Sequence, residues 1–300
     1  MTNPFSGTYA ALLTGFSDDG EFDAQRQRNL LDYVTAQDVN GLYVGGSSGE
    51  DGLMDVSELI ELQNVVAAYT PTKPMTLIAH VGRPSLNASI KLAKNAEKQG
   101  YQALSALPPH AYPFSDEEII EYYRELCSAT ELPMIAYEIP VRTQRALPLD
   151  VLGEILNLPN VIGIKFTSTD FFKMSQLRAN HPDKSLFFGY DEIAGAAALL
   201  GTDGGIGTTY NILGSLYTAL FKAVEAGNIE RARELQSISQ RFVTDLLVTG
   251  VFPGMKLALQ HIGVDCGPSR KPFTVKSADG SALIKRAVER PDFAAWIAKS

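Results

Sequence analysis

Val161-Ile162-Gly163-Ile164-Lys165-Phe166 reads as a short buried strand that a lysine interrupts just before its end. The strand, taken as Ile162 to Phe166, is one of eight β-type runs. The others are Tyr9 to Leu13, Gly41 to Val44, Met75 to His80, Ala103 to Ala106, Met134 to Tyr137, Leu186 to Phe188 and Gly204 to Ile206. Their starts are spaced by 32, 34, 28, 31, 28, 24 and 18 residues with helical stretches between them, which fits βα units of roughly 30 residues. Parallel strands need crossovers, so the alternation predicts a doubly wound sheet or a closed barrel, and eight strands favour the α/β (β/α)8 TIM barrel. Ser115-Asp116-Glu117-Glu118 opens a helix through about Ala129 as a capping box, and Asp55-Val56-Ser57-Glu58 opens another. After the eighth strand, helical periodicity continues at Leu216 to Ala226, Ile229 to Thr249 and Gly254 to Ile262. The expected organisation is a barrel over 1–225 and a helical extension packed on it over 226–300, as a single structural unit.

The chain has 300 residues, 45% hydrophobic and 20% charged, enough for a sizeable core and inconsistent with disorder as its main state. Its formal charge is 26 − 34 = −8, the wrong sign for holding nucleic acid by its phosphates or for binding an anionic membrane. A small anionic substrate stays compatible, since a site recruits an acid through a few amides and hydroxyls. Cys127 and Cys266 form no CxxC spacing and read as free thiols in a reducing compartment. The start, Met1-Thr2-Asn3-Pro4-Phe5, has no basic or apolar leader region, and apolar runs such as Ala196 to Leu200 are far short of about 20 residues. A cytoplasmic, soluble protein is expected.

In a barrel the active site forms at the C-terminal ends of the strands. That rule selects Tyr137, Lys165 and the loops Gly45-Gly46-Ser47-Ser48-Gly49-Glu50, Gly189-Tyr190-Asp191-Glu192 and Gly205-Ile206-Gly207-Thr208-Thr209. At an ordinary pKa near 10.4 only about one lysine in 2,500 is neutral at pH 7, and lowering it to roughly 7 or 8 by burial costs about 3 to 5 kcal/mol. A fold carries that cost where an amine nucleophile is wanted, so Lys165 reads as a Schiff-base former. The structural alternative is a lysine that snorkels to the rim or pairs with Asp191 or Glu192. The serine loop suits an amide nest for a carboxylate or phosphate, or is a plain glycine-rich turn. Tyr137 is a proton relay or a packing aromatic. Asp191 and Glu192 also suit a helix N-terminus. His80, His110, His181 and His261 show no metal spacing, so no metal is expected.

Gly41 to Glu50, Tyr137-Glu138-Ile139-Pro140 and Gly163-Ile164-Lys165, taken in this order and spacing, resemble the N-acetylneuraminate lyase and dihydrodipicolinate synthase family of pyruvate-dependent aldolases. The lyase branch is favoured by further matches from Leu77-Ile78-Ala79-His80 through Tyr112-Pro113-Phe114-Ser115, Tyr210-Asn211-Ile212 and Gly250-Val251-Phe252 to Arg270-Lys271-Pro272-Phe273. The resemblance implies that Lys165 forms the Schiff base, that Ser47 and Ser48 hold the substrate carboxylate, and that Tyr137 moves protons, with Ser47 counted among the catalytic residues. It further implies that Thr167 faces the hydroxyl beside the breaking bond. Gly189, Asp191, Glu192, Gly207 and Thr208 would bind the polyol tail, and Phe252 would lie near the mouth. No cofactor is implied; the partners are pyruvate, an amino sugar and further copies of the chain in a homotetramer.

The chain departs from the lyase pattern in three places. Ser47-Ser48 stands where Ser-Thr is usual and keeps both hydroxyls. Ala111 stands where the family presents a tyrosine to the neighbouring subunit; either Tyr112 or His110 substitutes, or that relay is absent and turnover is slower. Arg142 looks like the synthase branch, where it meets a second carboxylate. The implied reaction is cleavage of N-acetylneuraminate to pyruvate and N-acetylmannosamine. The alternatives are dihydrodipicolinate synthesis, another 2-keto-3-deoxy sugar acid aldolase or dehydratase, and a non-catalytic keto-acid sensor on the same barrel.

Overall fold

A computed structural model describes residues 5–298. Met1 to Pro4, on which the leader reading chiefly rests, and residues 299–300 at the end of the extension lie outside the described residues. Among those described, eight parallel strands form a closed barrel in sequence order: β1 (Gly7–Ala11), β2 (Gly41–Val44), β3 (Thr76–His80), β4 (Ala103–Ala106), β5 (Met134–Glu138), β6 (Val161–Phe166), β7 (Ser185–Phe188) and β8 (Gly204–Gly207). The (β/α)8 expectation is borne out. β1 lies two residues earlier than predicted: beyond Ala11, Leu12 N–H still reaches the Tyr43 carbonyl, but Leu13 N–H turns to the Asn211 side chain.

The pleat sorts each strand into two shells. Outward residues such as Leu42, Ala136, Ile164 and Phe166 pack beneath the helices. Inward residues, among them Tyr9, Tyr43, Ile135, Tyr137, Phe187 and Ile206, fill the barrel. The capping boxes are present at Asp55 and Ser115, opening Val56–Ala68 and Asp116–Ser128. The helix expected from Leu216 begins at Tyr210 and runs to Glu225. Leu213 has non-helical torsions inside its first turns, which hides them from a strict 3.6-residue period. The helix Ile229–Thr249 has the predicted bounds, whereas the next spans Val251–His261 and starts three residues early. Between them Gly250, at φ +98°, makes a 114° break, a backbone state that a side chain would strain. This break aims Val251 and Phe252 back at the barrel mouth. Helices Gly280–Glu289 and Pro291–Ala294, which the periodicity did not single out, complete the described chain. No single helix among the described residues is long and apolar enough to cross a membrane.

Candidate active site

Lys165 sits on β6 in register with Tyr137 on β5 and Phe187 on β7. Its neighbours Ile164 and Phe166 face outward, so the lysine points into the barrel, where it is 4% exposed. Its Nζ lies over the ring faces of Tyr43 and Tyr137, 4.3 and 4.2 Å from their centroids. Burial pulls the amine down to about 7; Asp191 opposes the shift and Arg142 adds to it. A shift of that size corresponds to about 5 kcal/mol against the charged form. The result is an amine substantially neutral at physiological pH, held in place by aromatic walls that cannot protonate it as a carboxylic acid would. Asp191, one of the two pairing partners in the structural alternative, has its Oδ2 engaged elsewhere, accepting from Thr209 N–H at 2.7 Å and from Thr209 Oγ1 at 2.6 Å.

Tyr137 is buried beside Lys165, and burial raises its phenol to about 12, with the Thr167 and Ser47 hydroxyls beside it pulling the other way. It therefore stays protonated at neutral pH and suits relaying a proton better than removing one as a phenolate. Ser47 and Ser48 follow β2 in a short 3-10 turn, Ser47–Gly49. The Ser48 hydroxyl lies 2.7 Å from that of Thr208 across the barrel mouth. The Ser47 hydroxyl accepts from Arg142 Nη1. Gly46 makes the turn feasible, because a Cβ there would stand 2.5 Å from the Tyr43 ring.

A cavity of about 520 Å³ opens above the lysine at the C-terminal ends of the strands. Ser47, Ser48, Tyr137, Lys165, Thr167, Gly189, Asp191, Glu192, Thr208 and Phe252, nominated from the sequence, all line it. Gly207, also nominated, is not among the lining residues; a Cβ there would meet Asp191 Oδ1 at 2.0 Å. Gly189 has a similar reason, since its Cβ would stand 1.8 Å from the Thr167 hydroxyl. Asp191 is held up to about 6 by burial, while its two bonds from Thr209 favour the carboxylate. Arg142 is not part of the lining; its guanidinium is turned onto Asp51.

Several contributors were not singled out in the sequence. Tyr43 forms half of the lysine's aromatic seat, and its inward position follows from strand parity. Val243 and Leu246, from the helix Ile229–Thr249, wall the outer cavity, and no local motif marks them. Asp51 directly follows the serine loop but carries no recognisable pattern. His80 is buried inside the barrel, where burial drops it to about 4 and its Nδ1 lies 3.0 Å from the Gly45 carbonyl. It is a neutral core histidine beside Tyr43 and Tyr137. Tyr112 is 74% exposed and packs edge-on against Phe114, while His110 Nδ1 lies 3.3 Å from the Pro108 carbonyl. Neither is among the cavity's lining residues within this chain.

The sequence model of the dihydrodipicolinate synthetase family matches residues 4–290. The N-acetylneuraminate lyase of Rhizobium meliloti (strain 1021) is 44% identical to the chain over 278 residues, 92% of this chain and 92% of that protein. Among solved structures, a Clostridium difficile protein in complex with mannosamine superposes with a TM-score of 0.92 at 31% identity, covering 98% of this chain and 100% of that one. The N-acetylneuraminate lyase of Fusobacterium nucleatum complexed with pyruvate superposes with a TM-score of 0.89 at 33% identity, covering 95% and 96%.

Proposed function

The chain belongs to the dihydrodipicolinate synthetase family, and from that membership we propose that it is a Schiff-base aldolase that reversibly cleaves N-acetylneuraminate to pyruvate and N-acetylmannosamine. The observation that carries the reading is the buried Lys165 amine, brought down to about 7 between two tyrosine rings at the floor of the cavity. Such an amine is a nucleophile for a carbonyl, and the family membership supplies the ketone of a 2-keto acid as that carbonyl.

Neutral Lys165 attacks C2 of the open-chain substrate, and loss of water leaves a protonated imine that acts as an electron sink. Ser47 and Ser48 hold the substrate carboxylate with hydroxyls and backbone amides. The C4 hydroxyl proton passes through the Tyr137 phenol to the substrate's own carboxylate. The C3–C4 bond then breaks, and its electron pair moves into the imine to give an enamine. N-acetylmannosamine leaves, the enamine takes a proton at C3, and water releases pyruvate from Lys165. Thr167 faces the hydroxyl at the breaking bond, Asp191, Glu192, Thr208 and the backbone at Gly189 meet the polyol tail, and Phe252 borders the mouth. Gly207 leaves room for Asp191.

A homotetramer is the assembly implied by the family resemblance, and light scattering on the purified chain tests it. The two buried free cysteines fit a cytoplasmic location. The reaction itself is tested by adding borohydride to the protein with N-acetylneuraminate as the only keto acid, then mapping the modified peptide by mass. A reduced pyruvyl adduct on Lys165 is the expected result. An adduct from pyruvate alone would keep the aldolase and remove the sugar; no adduct from either would remove the aldolase.

A further inference from the structure

Asp51 lies directly after the serine loop, in the short turn Asp51–Leu53, with its side chain 1% exposed. Arg142 reaches it in two parallel bonds, Nη1 to Oδ1 at 2.7 Å and Nη2 to Oδ2 at 2.9 Å. The same Nη1 donates to the Ser47 hydroxyl. Arg83 approaches from the other side, with Nη1 2.6 Å from the Asp51 carbonyl and 3.4 Å from its carboxylate, and Nη2 on the Met54 carbonyl. Burial works against the Asp51 carboxylate, yet the Arg142 guanidinium above all, with Arg83 behind it, brings it below the usual range. The acid is therefore ionised and fully engaged.

A free guanidinium beside Ser47 would offer planar, two-bond recognition to a carboxylate on a ligand in the cavity. Here that geometry is already occupied by an internal carboxylate. An acidic ligand could take Arg142 only by leaving the buried Asp51 charge to the single, longer Arg83 contact at 3.4 Å, and stripping a buried carboxylate of its two-bond partner is strongly unfavourable. What remains of Arg142 toward the cavity is its bond to Ser47.

We propose that Asp51 is a specificity-determining positioning residue: it holds Arg142 as a bracket for the Ser47 hydroxyl and so closes the site to aldehydes that carry a second carboxylate. The inference rests on the aldolase reading above and adds to it the residue pair by which the site excludes acidic aldehydes.

The test is condensation of pyruvate with N-acetylmannosamine, which is neutral, against succinic semialdehyde, which is carboxylated. The wild-type chain is expected to favour the neutral aldehyde by about 100-fold or more in kcat/KM. Asp51→Asn keeps the shape and frees the guanidinium. It should raise kcat/KM for succinic semialdehyde about 10-fold, through KM, while lowering that for N-acetylmannosamine. Adding Arg142→Gln should erase the gain. The inference is overturned if the wild type accepts both aldehydes equally, a result that needs no variant to fold. It is equally overturned if Asp51→Asn loses both activities in parallel while still trapping pyruvate on Lys165, or if its gain survives loss of Arg142. A wild-type chain that traps no pyruvate overturns the aldolase reading and this inference together; one that traps pyruvate without the selectivity overturns the inference alone.

Discussion

Lys165 and Tyr137 face each other across one β5–β6 rung, yet burial acts on them in opposite chemical senses. It lowers the lysine to about 7 and raises the phenol to about 12, because it disfavours the charged form of each. The amine thus becomes a nucleophile while the phenol keeps its proton. For the free enzyme, kcat/KM should rise with pH as Lys165 loses its proton and level off above about 7, which a pH–rate profile checks. Tyr137→Phe should lower kcat by about 10²- to 10⁴-fold while pyruvate remains trappable on Lys165 by borohydride. Loss of the adduct in that variant would assign Tyr137 to imine formation instead. Lys165 was legible in the sequence because it breaks an apolar strand where burial is costly. Its seat on Tyr43 was not, since the contact comes from a strand on another part of the barrel.

Strand ends are where this fold converts pleating into chemistry. On β5, Tyr137 faces inward and Glu138 faces the helical shell, where its Oε1 accepts from Leu147 N–H at 3.0 Å and Oε2 has no hydrogen-bond partner among the described residues. Burial raises Glu138 to about 7, against help from the Leu147 amide and from Lys173 and Arg145. Between the ordinary value of 4.5 and about 7 the folded chain holds a proton that the unfolded chain has released. Stability therefore falls as pH rises through that window, by about 3 kcal/mol in full above it. Glu138→Gln keeps the acceptor for Leu147 and removes the ionisation, so its stability gain over wild type should be larger at pH 8 than at pH 5. Denaturant melts at the two pH values measure this; an equal effect at both would show that folding does not raise the Glu138 pKa. The capping boxes at Asp55 and Ser115 were legible because all their partners lie within four residues. The early start of Tyr210–Glu225 was not, because its first turns depart from helical geometry and are tied to the barrel through Asn211.

Across the whole molecule, the segment around Arg270 ties the C-terminal region to the barrel mouth. Its guanidinium pairs with both oxygens of Glu58, at 2.9 and 2.5 Å, and bonds the Gly20 and Leu53 carbonyls. Its backbone N–H donates to buried Glu50, while Phe273, three residues on, packs against Phe252 at 5.0 Å between ring centroids. Arg270→Ala should cost about 2 to 4 kcal/mol, since it takes the paired cation from a half-buried carboxylate, which keeps its Asp55 N–H, and a donor from each of two carbonyls. It should also raise KM for the sugar more than it lowers kcat, because the mouth loosens while the Lys165 floor does not. Chemical denaturation and steady-state kinetics check the two parts separately.

Local pattern in the amino-acid chain sufficed for the eight strands, the capping boxes, the inward lysine and most of the cavity's polar lining. Those features follow from pleat parity, near-neighbour hydrogen bonds and the barrel's habit of placing chemistry at strand ends. The partnerships between residues far apart in the chain required the closed fold. Ser48 meets Thr208 across 160 positions and Arg142 meets Asp51 across 91. Whether Arg142 stands free for a ligand or is neutralised by an acid of its own chain depends on which loops barrel closure brings together. A guanidinium takes the carboxylate that the fold puts within reach, and no spacing along the sequence specifies that choice.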